Sequence, residues 1–521
     1  MMRTYTSTDL MGAQIVFCVD FEYAGKLHRY STNHVVIPSS DGVLEYLPTI
    51  RDFDYVDSAD VLAVDVEANI VSMGIVFQDI DVLKVIAEGQ ILEGVTAEFF
   101  YVLIKNGQCI NTYEKRVVLY TGQIQEPVYG DPSDIDNFVA FSIESQPYTS
   151  ENLLLDESLI IDNRFVNADA DTATGKPYPV VFGAAASSPN IYTLPAYCIK
   201  KYDSHNAHMM IAGHRVESTT ATIQDDSFNT ATKSILIDDD GKGNVYSYIE
   251  LVPSDNVAMP GTSTSGDSRE WWIYLNAGGY INTYGDGDLT RGGDICRWAL
   301  HRSGQRIDDG EWANLSVLLN QYSFSGYIND AEVTAFEWLN GSILPYLPVT
   351  MQMGANGIRP IITELWALTH VASVYSIEVG DDKQCQQSSP VQTLRNTADL
   401  ANDISLKYAK RGHDQSMSRT KTVQSNLAKQ SQNRYGRRPR VIEADYIYDN
   451  GTASKVVMDK IRALSTPLQT VDIDAPSELG WLQVGNVIDV SIPRVHLSSR
   501  KMMVITKYWS DGYWVFTLLF E

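Results

Sequence analysis

Apolar and polar residues alternate along much of this chain, most clearly at its C-terminal end. Ile488, Val490 and Ile492 alternate with Asp489 and Ser491, the period of a half-buried strand. Val471 and Ile473 alternate with Thr470 and Asp472 in the same way. Residues 503–509 and 513–520 are two β-rich runs separated by Ser510, Asp511 and Gly512, where glycine supplies the positive φ a hairpin turn needs. Ahead of them Val456, Val457, Ile461 and Leu464 recur at helical spacing, and Pro467 stops that helix. One helix leading into antiparallel strands predicts a small closed or nearly closed barrel.

The rest of the chain reads as mainly β with α+β portions. In residues 1–165 the strand candidates are 14–21, 27–36, 61–71, 97–104, 116–119 and 138–143. Gly25, residues 39–42 and Asn106-Gly107 punctuate them as turns, and 84–88 reads as a helical turn. Residues 175–285 form a β-rich module in which 234–238 and 245–252 flank a hairpin tip at 239–244. Residues 261–268 read as a flexible loop, and 271–275 as a strand. In 286–385 helices are expected at 295–303, with Asp294 as N-cap, at 309–319 and at 334–344. Strands follow at 348–353 and 357–364. Residues 389–411 predict a helix, with Ser389 as N-cap, Pro390 at its first position and Gly412 as its stop. Its buried stripe would be Val391, Leu394, Ala398, Leu400, Ala401, Ile404 and Tyr408. The expected domains are therefore 1–165, 175–285, 286–385 and 386–521.

A length of 521 residues is too great for one ordinary core, and 44% hydrophobic with 20% charged residues is a globular composition. The formal net charge of −25 argues against a nucleic-acid binder, whose affinity rests on Lys and Arg neutralising phosphates. It is compatible with a channel through which DNA passes without sticking. The N-terminus lacks the pattern of a secretory signal, and no stretch approaches the roughly 18 apolar residues of a membrane helix. No stable membrane insertion is expected. Cys18, Cys109, Cys198, Cys296 and Cys385 are scattered and form no Cys-x-x-Cys pair, so neither a disulfide framework nor a zinc ribbon is predicted.

Little points to catalysis or metal binding. His205, His208 and His214 lie close in sequence, but their spacing fits no helix face and no cysteine or carboxylate completes a zinc pattern. Asp238, Asp239, Asp240 and Asn244 fail the EF-hand spacing and read as a solvated hairpin tip. Gly-Asp repeats at 285–294 do not recur as a calcium coil requires. Glu270-Trp271, Glu311-Trp312 and Glu337-Trp338 place carboxylates beside tryptophan, yet a glycosidase needs two carboxyls in one cleft. No nucleophile elbow, phosphate loop or zincin motif is present. The expectation is a non-enzyme with no cofactor and no metal. Residues 410–440 carry nine Lys or Arg and one acid, Asp414. This run has three readings: contact with DNA in transit, contact with an acidic face of another subunit through Arg434, Arg437, Arg438 and Arg440, or a solvated loop.

A family resemblance joins these observations. Ser431, Tyr435, Gly436 and Arg437, then Ala453, Pro467 and Val484-Gly485-Asn486-Val487, follow in an order that resembles the baseplate or tail-tip hub proteins of long-tailed bacteriophages. The Gly-x-x-x-Pro-Val-Val-Phe-Gly element ending at Gly183 resembles the exit from the first hub barrel. The run from Gly293 to Gly357 resembles the hub α+β domain. The resemblance extends to gene-transfer-agent-like particles and implies a siphovirus-like virion tail location after assembly in a host cytoplasm. It also implies a homotrimer in which two barrels per chain, residues 1–165 and 386–521, build a pseudo-six-fold ring. The implied partners are the distal tail protein, the C-terminus of the tape-measure protein, a central fibre or tip protein, and DNA in transit only. The implied work is symmetry adaptation, channel gating and DNA ejection. The competing expectation is a secreted carbohydrate-binding or wall-degrading protein.

Overall fold

The computed structural model describes residues 13–59, 70–76, 87–89, 91–129, 138–144, 153–170, 173–183, 194, 197–203, 206–224, 229–257, 272–275, 278–284, 287–354, 356–395, 398–411 and 416–521. The chain is mainly β and multi-domain. It divides into two compact units, neither continuous in sequence. The first takes residues 1–148, 350–396 and 467–521; the second takes 149–349 and 397–466. The expected 386–521 segment is therefore shared between them. Its basic run and the helix Asn450–Leu464 belong to the second unit, and its C-terminal strands to the first.

In the first unit the strand Gln14–Tyr23 pairs with Lys26–Ser31 on one side and Thr96–Lys105 on the other. Thr96–Lys105 pairs with Val117–Tyr129, which pairs with Phe138–Glu144, which pairs with Ile70–Val76. Ile70–Val76 pairs with Ile50–Ser58, which continues the strand Gly42–Pro48 beyond Thr49. Gly42–Pro48 meets Lys26–Ser31 at Tyr30 and Ser31, so the pairings return to their start. Val16, Phe17, Cys18 and Val19 are all buried because both faces of their strand are covered. Val16 and Cys18 pack with Val35, Ile37, Tyr46, Phe100 and Val102. Phe17 turns the other way, stacking on Phe99 at 5.7 Å and meeting Trp514 edge-on at 5.9 Å.

That tryptophan comes from the C-terminal strands. Leu468–Ala475, Tyr513–Phe520, Leu497–Ser510 and Val487–Ile492 pair antiparallel in that order, as the alternation predicts. Asp511 and Gly512 turn the hairpin with φ of 50° and 88°, the left-handed pair of a type I′ turn. Tyr375–Glu378 joins Val487–Ile492 in parallel, and Gln386–Gln387 joins Leu468–Ala475. A bridge between Val379 and Cys385 links those two additions, so this set of pairings also closes. Val56 to Ser58 pair with Thr506 to Tyr508, joining both sets in one 17-stranded sheet.

Three expectations are corrected. The strand at 27–36 is two, Lys26–Ser31 and Val35–Ser39. The helix at 389–411 does not form. Gln392–Arg395 and Asp403–Lys410 are strands instead. Ser389 caps nothing; its Oγ accepts the backbone N–H of Asp472 at 2.8 Å. Ile404, Leu406 and Tyr408 are buried between half-exposed Ser405 and Lys407, a period of two that shares Ile404 and Tyr408 with the helical stripe. The third concerns Asp294. The helix Gly292–Arg302 begins earlier than expected, with Arg291 at the N-cap, and Asp294 lies inside its first turn. Its carboxylate is buried and accepts from Asn282 at 2.9 Å and Asn320 at 3.2 Å.

In the second unit, Tyr197–Asp203, Asn206–Ala212, Val245–Leu251 and Leu236–Asp239 form a four-stranded sheet. The tip between the last two is well tied. Asp240 accepts from the backbone N–H groups of Lys242 and Asn244, and its Oδ2 takes Arg164 at 2.5 Å and Tyr178 at 3.3 Å. Helix Ala335–Ser342 starts on a capping box of Thr334 and Glu337. The helical pattern at 309–319 is broken into Asp309–Asn314 and Ser316–Leu319. The strand candidate at 61–71 falls largely, and the loop at 261–268 and residues Gly285, Asp286 and Trp271 wholly, outside the described residues.

Candidate functional site

The basic run is not a loop. Met417–Thr422, Asp403–Lys410 and Pro439–Ala444 form a three-stranded sheet, antiparallel on one side of the central strand and parallel on the other. The antiparallel strand returns the chain to the starting end of the central one, and the helix Asn426–Tyr435 then carries it past that strand to the opposite edge. Ser425 caps that helix, its Oγ accepting the N–H of Ala428 at 3.0 Å, and Gly436 ends it with φ of 77°. The helix Asn450–Leu464, capped by Asp449, packs on the central strand and buries Ala453, Val456, Val457 and Ile461.

Asn402 ties these elements together from a fully buried position. Its Nδ2 donates to Ser431 Oγ at 3.0 Å and to the Gly436 carbonyl at 2.9 Å. Its Oδ1 accepts the Arg438 backbone N–H at 2.8 Å. Ser431 Oγ donates onward to the Ser465 carbonyl at 2.7 Å, at the end of the second helix. The Ser-x-x-x-Tyr-Gly-Arg motif is thus a structural clasp. Ser431 joins two helices, and Gly436 turns the chain into the strand that begins at Pro439. Asn402, thirty-odd residues upstream, is absent from the motif, and only its polar side chain amid Leu400, Ala401 and Ile404 marks it in the sequence.

The exposed side of the clasp is basic. The Arg434 guanidinium lies 5.1 Å from the Tyr435 ring centroid, and Arg438 Nε reaches the Tyr435 carbonyl at 3.4 Å. Arg437 pairs with Asp403 at 2.6 Å and still has a side chain 75% exposed, so the pair adds under about 1 kcal/mol. Arg440 is exposed in the edge strand beside Ile404.

The other motif residues lie elsewhere. Gly183 follows the strand Val180–Phe182, which pairs with Gly326–Ile328. Gly293 is in the first turn of its helix, where a Cβ would come within 2.8 Å of Asn320 Oδ1. Gly485 has φ of 85° and would press a Cβ against Ile361 at 3.2 Å.

The two described histidines of that group have separate partners. His208 stacks on Tyr248 and approaches Glu250 at 3.3 Å; His205 lies outside the described residues. His214 Nε2 accepts the Val181 N–H at 3.0 Å, which puts its proton on Nδ1, facing the Arg215 carbonyl at 3.0 Å. Neither ring nitrogen is left to bind a metal. Burial pushes the His214 pKa down to about 4. The folded chain therefore holds the neutral ring, while the unfolded chain protonates near 6.5. Stability is expected to fall as pH drops between those values, by up to ~3 kcal/mol from this group. Urea midpoints at pH 7 and pH 5 test this, with His214→Gln losing that part of the difference. Trp312 and Trp338 are buried core residues, Glu337 serves its capping box, and Glu270-Trp271 lies outside the described residues.

No family model and no curated protein matches the sequence. Solved structures do match, and those the chain resembles are phage tail and virion proteins. The tail protein from Neisseria meningitidis MC58 aligns at 10% identity over 97% of each chain, with a TM-score of 0.39. The prophage MuSo2 43 kDa tail protein from Shewanella oneidensis aligns at 10% identity over 96% of this chain and 97% of that one, with a TM-score of 0.39. A chain of a native gene transfer agent virion aligns at 11% identity over 66% of this chain and 81% of that one, with a TM-score of 0.38.

Proposed function

We propose that this chain is a structural hub of a phage-type tail tip, acting as a homotrimeric symmetry adaptor and not as an enzyme. The observation that carries the reading is the pair of self-closing strand sets in the first unit, one built from residues 14–144 and the other from 375–395 with 468–520, joined through Val56 to Ser58. Two such sets per chain give three copies six similar faces around an axis. A hexameric tail component then meets the ring on one side, and a three-fold tip or fibre on the other. Its partners on this reading are the distal tail protein, the tape-measure C-terminus and the central tip protein. DNA passes along the bore without sequence-specific contact. The ordered motif from Ser431 to Val487 supports the same reading.

Light scattering and electron microscopy of the purified chain test it. The expected result is a trimer whose averaged projections show six lobes around a central opening. A monomer at every accessible concentration, or an oligomer without a bore, rejects it.

A further inference from the structure

Residues 403–444 hold ten of the forty Lys and Arg in the chain but only three of its sixty-five Asp and Glu. Among the described residues, Arg434, Arg438 and Arg440 meet no carboxylate; their contacts are the Tyr435 ring, the Tyr435 carbonyl and solvent. Elsewhere carboxylates answer cations closely, as at Arg164 with Asp162 and Asp240, Lys233 with Asp255 and Arg297 with Asp309. Part of the cluster has a local explanation. Arg434 sits at a helix C-terminus, where a cation favours the helix dipole. Arg440 lies in an edge strand, where charge discourages unwanted strand pairing. Neither explains why the fold gathers these guanidinium groups within seven residues, on a corner that the Asn402 clasp holds rigid. Beside them Val441 is 59% exposed.

We infer that the Arg434–Arg440 corner docks on an acidic face of the neighbouring copy of this chain, head to tail. This rests on the homotrimer reading above. The surface that complements a basic corner is the chain's own remainder, which holds nearly all the acids and is present at equal copy number. In a cyclic assembly each corner finds one acceptor on the next copy and none is left over. A strongly negative chain also repels its own copies, so a local patch of opposite sign selects one orientation of approach and rejects others. A nucleic acid is the less favoured occupant, because the rest of the chain repels phosphate.

The core of the test compares three forms of the chain by sedimentation velocity across a salt series. They are the wild type, the triple variant Arg434→Glu, Arg438→Glu, Arg440→Glu, and a control with the same charge change elsewhere, Lys176→Glu, Arg215→Glu, Lys242→Glu. The wild-type oligomer is expected to loosen as salt rises. The corner variant is expected to dissociate at protein concentrations at least roughly 100-fold higher than the control. Circular dichroism establishes that it remains folded, and Arg434→Lys, Arg438→Lys, Arg440→Lys should restore much of the assembly, since the charge is kept. A corner variant that assembles like the control overturns the inference and leaves the trimer reading intact. A wild type that never assembles overturns both. Loss of binding to duplex DNA with assembly unchanged assigns the corner to nucleic acid instead.

Discussion

Replacing Gly183 by alanine is expected to destabilise the second unit by about 2–5 kcal/mol. Two terms add. Gly183 has φ of 72°, a left-handed conformation that costs an alanine roughly 1–2 kcal/mol. Its added Cβ would also collide with the Phe324 carbonyl oxygen and lie 2.7 Å from Ser325 Cα. Those are backbone atoms that cannot swing away, so overpacking adds about 1–3 kcal/mol. The position is also central. Val180–Phe182 pairs with Gly326–Ile328 on one edge, while Tyr280 donates to the Val181 carbonyl and Gly279 to the Gly183 carbonyl on the other. Phe182 is fully buried against Trp338 and Tyr446, at 5.5 Å from each ring. Gly436→Ala is the matched comparison. Its φ of 77° and ψ of 168° form a conformation almost confined to glycine, but nothing lies within 4 Å of the added Cβ, so only a backbone cost of about 1–3 kcal/mol applies. Thermal melts should show Gly183→Ala shifted by several degrees more than Gly436→Ala. Hydrogen exchange should accelerate first in residues 180–183 and 324–328. Equal shifts for the two variants would mean that the crowding at Gly183 relaxes at little cost.

Local signals were legible in the sequence where a single period held and its boundary residue had a mechanism. The hairpin at Asp511-Gly512 and the helix 450–464 are of this kind. Legibility failed where two periods shared their apolar positions. Ile404 and Tyr408 satisfy a helix at four-residue spacing, and with Leu406 they equally satisfy a strand. The strand prevails because Leu406 is fully buried along with them on the strand that the helix 450–464 packs against, and because Pro439–Ala444 offers a parallel ladder from far along the chain. The helix 426–435 went unread although Ser425 and Gly436 bracket it, since its polar surface carries almost no apolar stripe. The division into two discontinuous units was not legible either. It depends on pairings such as Val56 with Tyr508, separated by most of the chain, which no local window contains. Of the candidate site, the sequence supplied the arginines and the motif but not the residue that organises them.

That residue gives the second large expected effect. Asn402→Leu is nearly the same size, yet it removes both donors and the acceptor of a side chain that is 0% exposed. Ser431 Oγ loses a partner, and the Gly436 carbonyl and the Arg438 N–H lose theirs. Partners left unmade in a buried place cost about 1–3 kcal/mol each, so the total is expected near 3–5 kcal/mol after local rehydration of the two nearest the surface. Asn402→Asp separates the terms. It keeps an acceptor for Arg438 but loses the Nδ2 donors and buries a charge, so it should be nearly as damaging at pH 7 and recover as acid protonates it. Ser431→Ala removes one link of the chain to Ser465 and should cost about 1–2 kcal/mol. Asn402 and Ser431 share a hydrogen bond, so the double variant should cost less than the sum of the two singles. Urea unfolding followed by exchange in 426–438 and 461–465 reads all four. Strict additivity in that cycle would show that the two side chains stabilise the fold independently, and that the Arg434–Arg440 corner is not held by a single clasp.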